Sequence, residues 1–194
     1  MTVMLWILAG AAYLLLAGFF ILERMVRTGS TRRMTRESTD QGSTTWVSAV
    51  MGVAFVVIPL TPLLNWWGPG RLNNWVIGVI GVAVGVTGLV IRHQAFTTLG
   101  RFFTRTLQRV DEHRLVTDGI YRRVRHPGYL SDILIFIGAA MAMNNWITIL
   151  LVVALFLPAY RYRIKVEETM LTGIFGTAYT NYQAHTKRLV PGIW

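Results

Sequence analysis

The chain has 194 residues with no cysteine, and 53% of them are hydrophobic while only 14% are charged. A soluble domain usually carries about 25% charged residues. Because the apolar residues also form long blocks, the composition predicts one integral membrane domain over residues 1–194. The lack of cysteine excludes disulfides, thiolate metal sites and a cysteine nucleophile.

The net charge of +10 points to lipid rather than to nucleic acid. The basic residues flank apolar segments instead of forming a separate arm, a distribution that sets membrane topology and brings cations to anionic headgroups. We therefore expect membrane lipids as partners and no nucleic acid. His93 and His185 have no partner pattern, so no metal site is expected.

The first apolar segment, residues 3–22, contains no charge. As a helix it would reach about 30 Å, enough to cross the hydrocarbon core. A cleaved signal peptide would have its cations before the apolar run, whereas here Arg24 and Arg27 follow it. The pattern favours an uncleaved span with its N-terminus outside.

Two more spans are predicted at residues 46–66 and 75–91, joined by the turn NWWGPGRLNN, whose tryptophans suit a membrane interface. The third span carries glycines three, four and three residues apart, at Gly78, Gly81, Gly85 and Gly88. This spacing places a glycine stripe on one helix face. It favours close helix packing within the chain over homodimerisation.

The apolar residues 130–160 are too many for one simple crossing and too few for two, unless flanking residues are added. Basic residues lie on both sides of this run, so the chain should cross and return. We predict a helical hairpin that turns at residues 143–146, with a kink at Pro158. The prediction is an all-α protein of five spans in the cell inner membrane, with its C-terminus in the cytoplasm.

Two polar segments contain most of the remaining chemistry, at residues 112–132 and 161–194. In the first, the sequence His-Pro-Gly at residues 126–128 breaks the chain just before the hairpin. In the second, Arg163 and Glu167 lie four residues apart and share one face of a helix that continues from the hairpin.

Together, the segments GIYRRVRHPGYLS and RIKVEETMLTGIFGTAYTNYQAHTKRLVPGIW resemble the isoprenylcysteine carboxyl methyltransferase family of integral membrane enzymes. The family's pattern is G-x-Y, R-H-P-x-Y, a membrane hairpin, R-x-x-x-E-E, F-G-x-x-Y-x-x-Y and a late proline, and every element stands here in order. The resemblance covers about residues 90–194. It divides the chain into three N-terminal spans, residues 1–91, and a cofactor-binding region with the hairpin, residues 92–194.

Members of this family transfer a methyl group from S-adenosylmethionine, held in a cytoplasmic C-terminal pocket, to a lipid-bearing acceptor that enters from the bilayer. The resemblance implies that Arg163 holds the carboxylate of a lipidated or prenylated acceptor, and that Glu167 takes the cofactor's ammonium. The residues implied in cofactor binding are His113, Arg114, Leu115, Val116, Tyr121, His126, Pro127, Gly128, Tyr129 and Glu167. One departure stands upstream, where Thr106 takes the position of a cofactor-contacting glutamine of some members.

The chemistry of methyl transfer agrees with these residue types. An ionised carboxylate needs no general base to attack a sulfonium-bound methyl group in line, since it is already charged at pH 7. The enzyme has to align the two reactants and exclude water. An arginine fork can orient the acceptor carboxylate, provided that it does not hold the oxygen so tightly that it quenches the nucleophile. The cofactor's own carboxylate would need a cation, either His126 or a neighbouring arginine.

Other interpretations stay open from the sequence. The acceptor could be a phospholipid amine or a small thiol, the fold could serve an NADPH-dependent sterol-reductase-like enzyme, or the chain could be a non-catalytic lipid-binding protein. Arg163 and Glu167 could form a plain surface pair, and the three arginines of residues 122–125 could only anchor topology and bind lipid phosphates. Asp132 could lie at headgroup depth or contact the pocket.

Overall fold

The structure, a computed structural model, describes residues 3–27, 40–100 and 115–190. These segments contain one short 3-10 helix, Gly119–Arg122, and six α-helices. The α-helices are α1 (Val3–Arg27), α2 (Ser43–Trp67), α3 (Trp75–Leu99), α4 (Pro127–Ala142), α5 (Trp146–Phe175) and α6 (Thr177–His185). The predicted all-α class is confirmed, since extended pairing in the described segments is limited to two isolated bridges.

Four of the described helices, α1, α2, α3 and α5, are long and apolar enough to cross a membrane. The fifth predicted span corresponds to α4, an apolar helix of 16 residues, which at about 1.5 Å per residue reaches roughly 24 Å. Helices α4 and α5 form a hairpin that takes residues from both flanks, since α4 begins at Pro127 and α5 runs to Phe175. The chain is an integral membrane protein.

Asparagines close the hairpin at the end of the bundle far from α6, where the sequence predicts the turn. Asn144 adopts a φ of 60°, a left-handed conformation that asparagine tolerates. Its side chain accepts from the Asn74 backbone nitrogen at 2.8 Å and donates to the Asn74 carbonyl at 2.9 Å. Asn145 caps α5 by accepting from Ile147 N at 3.0 Å and donates to Asn65 Oδ1 at 2.9 Å. The turn is thereby tied to the loop between α2 and α3.

Glycines allow α3 and α4 to approach at the level of their backbones. The α3 stripe is buried at all of its positions: Gly78, Gly81, Gly85 and Gly88. A Cβ on Gly81 would lie 2.7 Å from the Gly138 carbonyl oxygen and 2.8 Å from Ala142 N. Two other stripe positions face leucine side chains of α1. The stripe therefore packs inside one chain, as the spacing favours.

Helix α3 runs past the predicted span of residues 75–91 and ends at Leu99. The prediction was too short because it treated Arg92 as the first residue of a polar segment. Arg92 is instead buried in the bundle, where its guanidinium lies 4.3 Å from the Phe19 ring centre and 4.6 Å from that of Phe96.

Arg92 is paired with carboxylates from two other helices. Its Nη2 lies 2.5 Å from Glu23 Oε2 of α1, and its Nη1 donates to Asp132 Oδ1 of α4. Asp132 Oδ2 also accepts from the Tyr160 hydroxyl of α5 at 2.8 Å. Asp132 therefore acts as the buried partner of Arg92, and the network joins α1, α3, α4 and α5.

The close approach of α3 and α4 predicts the effect of adding one methyl group. Gly81→Ala should destabilise the protein by about 1–3 kcal/mol, the usual cost of overpacking, because the contacted atoms are backbone and cannot rotate away. Thermal unfolding in detergent measures this. Gly52→Ala is the matched control, since a Cβ there meets nothing within 4 Å. Equal midpoints for the two variants would contradict the packing.

Candidate active site

Four polar pieces of the chain meet where α5 passes the start of α2. They are the residues that precede α4, the first turn of α2, the stretch of α5 around residues 163–168, and the strap after α6, residues 186–190. The predicted residues His126, Tyr129 and Glu167 lie here together with Arg163.

The strap of residues 186–190 is hydrogen-bonded to the residues that immediately precede α4. Arg125 N donates to the Lys187 carbonyl at 2.8 Å, and His126 N donates to the Arg188 carbonyl at 3.0 Å. His126 is the N-cap residue of α4, and Pro127 follows at a helix start, where its missing N–H costs nothing. These backbone bonds fix the position of the imidazole.

The imidazole of His126 lies between two acidic side chains. Its Nε2 is 3.3 Å from Glu168 Oε1, and its Nδ1 is 3.6 Å from Glu167 Oε2. Its ring stacks on Tyr129, with ring centres 5.5 Å apart. Both ring nitrogens thus face carboxylates of α5, which leaves a neighbouring arginine as the better cation for an anionic group of a ligand.

The pKa of His126 reflects two opposed effects. Burial alone would lower this pKa, but the hydrogen bonds and charges of Glu167 and Glu168 outweigh burial and raise it above its usual value. The two carboxylates therefore stabilise the protonated form of this imidazole.

Glu168 is the centre of an ion cluster that the sequence analysis missed. Its Oε1 accepts from Arg125 Nε at 2.9 Å, and its Oε2 accepts from Arg188 Nε at 3.0 Å and Nη2 at 2.8 Å. The interpretation of Arg125 as a lipid anchor is wrong, because its side chain is 8% exposed and bound by Glu168. Arg122 and Arg123 are exposed. The doubled glutamate at residues 167–168 was the available signal.

Glu167 presents a buried acceptor. Among the described residues, its Oε2 has no hydrogen-bond partner, and the same holds for the Tyr179 hydroxyl. The imidazole of His126, 3.6 Å from Glu167 Oε2, is the ion-pair partner of this oxygen but lies beyond hydrogen-bond distance, so the buried oxygen can still accept a hydrogen bond from a further donor. The chemistry of this oxygen fits a cationic donor such as an ammonium group.

Arg163 lies one helical turn before Glu167 and is 3% exposed, which rules out a plain surface pair. Its Nε donates to the Tyr129 hydroxyl at 3.0 Å. Its Nη1 lies 2.6 Å from Asp40 Oδ1 and donates to the hydroxyls of Ser43 at 2.8 Å and Thr44 at 2.6 Å. The N-terminal half of the chain therefore contributes to this site, which the sequence analysis did not foresee.

The remaining predicted residues divide into two groups. Tyr121 is buried, and its carbonyl accepts from the Tyr182 hydroxyl at 2.6 Å. Leu115 and Val116 are half-buried, while Pro127 and Gly128 form the first turn of α4. The other predicted positions lie outside the described residues: His113, Arg114 and Thr106.

The raised pKa of His126 predicts a pH dependence of stability. A histidine whose pKa is higher in the folded state than its unfolded value of about 6.5 stabilises the fold fully below that value. This contribution is lost as the pH rises through the folded-state pKa. The thermal midpoint of the ligand-free protein should therefore fall above about pH 6.5, and His126→Gln should flatten that fall.

The control for this prediction is His185→Gln, since His185 is exposed at the end of α6. This variant should keep the wild-type slope between pH 6 and 9. A wild-type slope in His126→Gln would contradict the assignment of the imidazolium.

Comparison with known proteins agrees with this geometry. The model of the isoprenylcysteine carboxyl methyltransferase family matches residues 79–173. The chain is 30% identical over 125 residues to protein-S-isoprenylcysteine O-methyltransferase B of Arabidopsis thaliana, covering 63% of this chain and 64% of the relative. It is 34% identical over 119 residues to a probable protein-S-isoprenylcysteine O-methyltransferase of Oryza sativa subsp. indica, covering 59% and 61%.

A solved structure shares the fold. The eukaryotic intramembrane Ras methyltransferase ICMT superimposes with a TM-score of 0.54 at 27% sequence identity, covering 82% of this chain and 55% of that one. The chain thus spans less than two thirds of the length of these relatives. The family model, the curated relatives and the shared fold together confirm that this chain resembles the isoprenylcysteine carboxyl methyltransferase family, as its motifs predict.

Proposed function

We propose that this protein is a membrane methyltransferase that uses S-adenosylmethionine to methylate the carboxylate of a prenylcysteine-like acceptor. The observation that carries the proposal is that a buried carboxylate oxygen without a described hydrogen-bond partner, on Glu167, lies one helical turn from a buried guanidinium, on Arg163. The names of the relatives support the reaction and the class of acceptor.

When bound, the cofactor would supply a methyl group on a positively charged sulfur, and transfer of this group to the acceptor oxygen would break the carbon–sulfur bond and give a neutral ester and a neutral thioether. Glu167 Oε2 suits the amino group of the methionine moiety, since it is a buried acceptor in need of a donor. His126 holds the Glu167 carboxylate from Nδ1 and so orients it. Glu168 and the strap fix His126 in turn.

Arg163 orients the carboxylate of the acceptor. It extends from α5 to the first turn of α2, and both helices have exposed apolar side chains, such as Val56 and Leu157. An acceptor with a prenyl chain can keep that chain in hydrocarbon while its carboxylate reaches the guanidinium. No residue of the chain has to act as a base, since the acceptor carboxylate is ionised at neutral pH. The chain's contribution is alignment and the exclusion of water.

The orientation of the protein follows from its cations. Of the 19 Lys and Arg in the sequence, Arg71 alone lies in the predicted outer turn. By the rule that positive charge stays inside, the end of the bundle with Arg163 and Glu167 faces the cytoplasm, and α1 begins on the outer side.

The proposed cofactor contact predicts a change in ligand affinity. Wild-type protein in detergent should bind S-adenosylhomocysteine in a calorimetric titration. Glu167→Gln should weaken that binding about 10- to 150-fold, the loss expected for a hydrogen bond between charged groups. Arg163→Gln should keep this affinity yet lose methyl transfer to N-acetyl-S-prenylcysteine, because it removes only the acceptor contact.

Two controls accompany the titration. Asp118→Asn removes a charge from an exposed carboxylate and should bind like the wild type. A parallel titration with NADPH tests the reductase alternative. Binding of NADPH in place of S-adenosylhomocysteine, or wild-type affinity in Glu167→Gln, would contradict the proposal.

A further inference from the structure

The guanidinium of Arg163 is already hydrogen-bonded to several protein groups in the absence of an acceptor. Three oxygens surround Nη1, from Asp40 at 2.6 Å, Ser43 at 2.8 Å and Thr44 at 2.6 Å. The Nε–H is bound to the Tyr129 hydroxyl at 3.0 Å. A bidentate hold on a carboxylate needs two of the guanidinium nitrogens side by side. At least one of these hydrogen bonds would have to break before two nitrogens of Arg163 could bind a carboxylate side by side.

Asp40 is the charged member of that set, and α2 holds it in place. Its Oδ1 accepts from the hydroxyls of Ser43 and Thr44, both at 2.8 Å, and its Oδ2 accepts from the Thr44 backbone nitrogen at 3.1 Å. The link to α2 is tight, with Gln41 at φ 46° and Gly42 at φ 74°. The carboxylate therefore sits at the N-terminus of a helix, where the helix dipole also favours a negative charge.

The surroundings of Asp40 favour its charged form. Partial burial would raise the pKa of this carboxyl, but the hydrogen bonds from Thr44 and Ser43 and the positive charge of Arg163 together lower it below the usual value. At neutral pH the acceptor would thus meet an Arg163 whose charge is already partly offset.

We propose that Asp40 is a positioning residue that partly neutralises the charge of Arg163. The guanidinium then orients the acceptor carboxylate without binding it so tightly that the oxygen cannot react. This inference rests on the proposed function. In the methyl transfer the negative charge of the carboxylate disappears, so an undiminished cation beside it stabilises the bound reactant more than the transition state. By sharing Nη1, Asp40 limits this unproductive stabilisation and leaves the acceptor oxygen free to attack.

The proposal also gives the N-terminal half of the chain a part in the reaction. Asp40 lies outside residues 79–173, the segment that the family model matches. The polar end of α2 would then determine how strongly this chain holds a carboxylate acceptor.

Asp40→Asn tests the proposal, because an amide keeps the size of the side chain and an oxygen for Nη1 but removes the charge. The dissociation constant of N-acetyl-S-prenylcysteine, titrated into protein saturated with S-adenosylhomocysteine, should fall about three- to tenfold. In methyl-transfer kinetics KM should fall in the same direction, and kcat should fall by about tenfold. A merely structural role would instead raise KM and the dissociation constant.

Matched variants complete the experiment. Asp40→Glu restores the charge and should return kcat towards the wild-type value, while Asp118→Asn should leave both constants unchanged. If Asp40→Asn folds poorly by thermal unfolding, Asp40→Ser provides the same test, since serine keeps a capping oxygen without charge.

The possible outcomes distinguish a failure of the role of Asp40 from a failure of the proposed function. A wild-type protein that transfers methyl groups, with an Asp40→Asn variant whose acceptor affinity is unchanged or weaker, would overturn the role of Asp40 alone. A wild-type protein that binds neither S-adenosylhomocysteine nor the acceptor would overturn the proposed function and this inference with it.

Discussion

The structure depends on the pairing of buried charged side chains inside an apolar helix bundle. A charged side chain in hydrocarbon is costly unless a partner neutralises it. Arg92 meets this requirement by binding Glu23 of α1 and Asp132 of α4. Arg163 meets it by binding Asp40 at the start of α2. Each pair joins helices that are far apart in the sequence, so the same contacts that make burial tolerable also fix how the helices pack.

At the candidate site, two adjacent carboxylates differ in how fully they are hydrogen-bonded. Glu168 is surrounded by cations, whereas the neighbouring Glu167 keeps a buried oxygen without a described hydrogen-bond partner. The two adjacent carboxylates thus differ: Glu168 links the strap to the segment before α4, and under the proposed function Glu167 offers its remaining acceptor to a cation of the ligand. Ring contacts link His126 to Tyr129 and Tyr129 to Tyr160, and the Tyr160 hydroxyl donates to Asp132, so the site is connected to the buried network.

The sequence predicted most of the helices and the local features of the site, because both follow from short-range patterns. Apolar length predicted the spans, the pair of asparagines at residues 144–145 predicted the turn, and the family motifs led to His126 and Glu167. The ion pairs of Arg92 and Arg163 were missed, since their acidic partners lie 40 to 123 residues away along the chain. Spacing reveals a neighbour one helical turn away, but it carries no information on which distant helix supplies a counter-charge.

The central claim is that Glu167 binds the amino group of the cofactor and Arg163 binds the carboxylate of the acceptor. An experimental structure with S-adenosylhomocysteine and N-acetyl-S-prenylcysteine bound tests it most directly. The account predicts the amino group within hydrogen-bond distance of Glu167 Oε2, the acceptor carboxylate at Arg163, and Asp40 still on Nη1. Ligands bound elsewhere, with Glu167 Oε2 still unpaired, would contradict it.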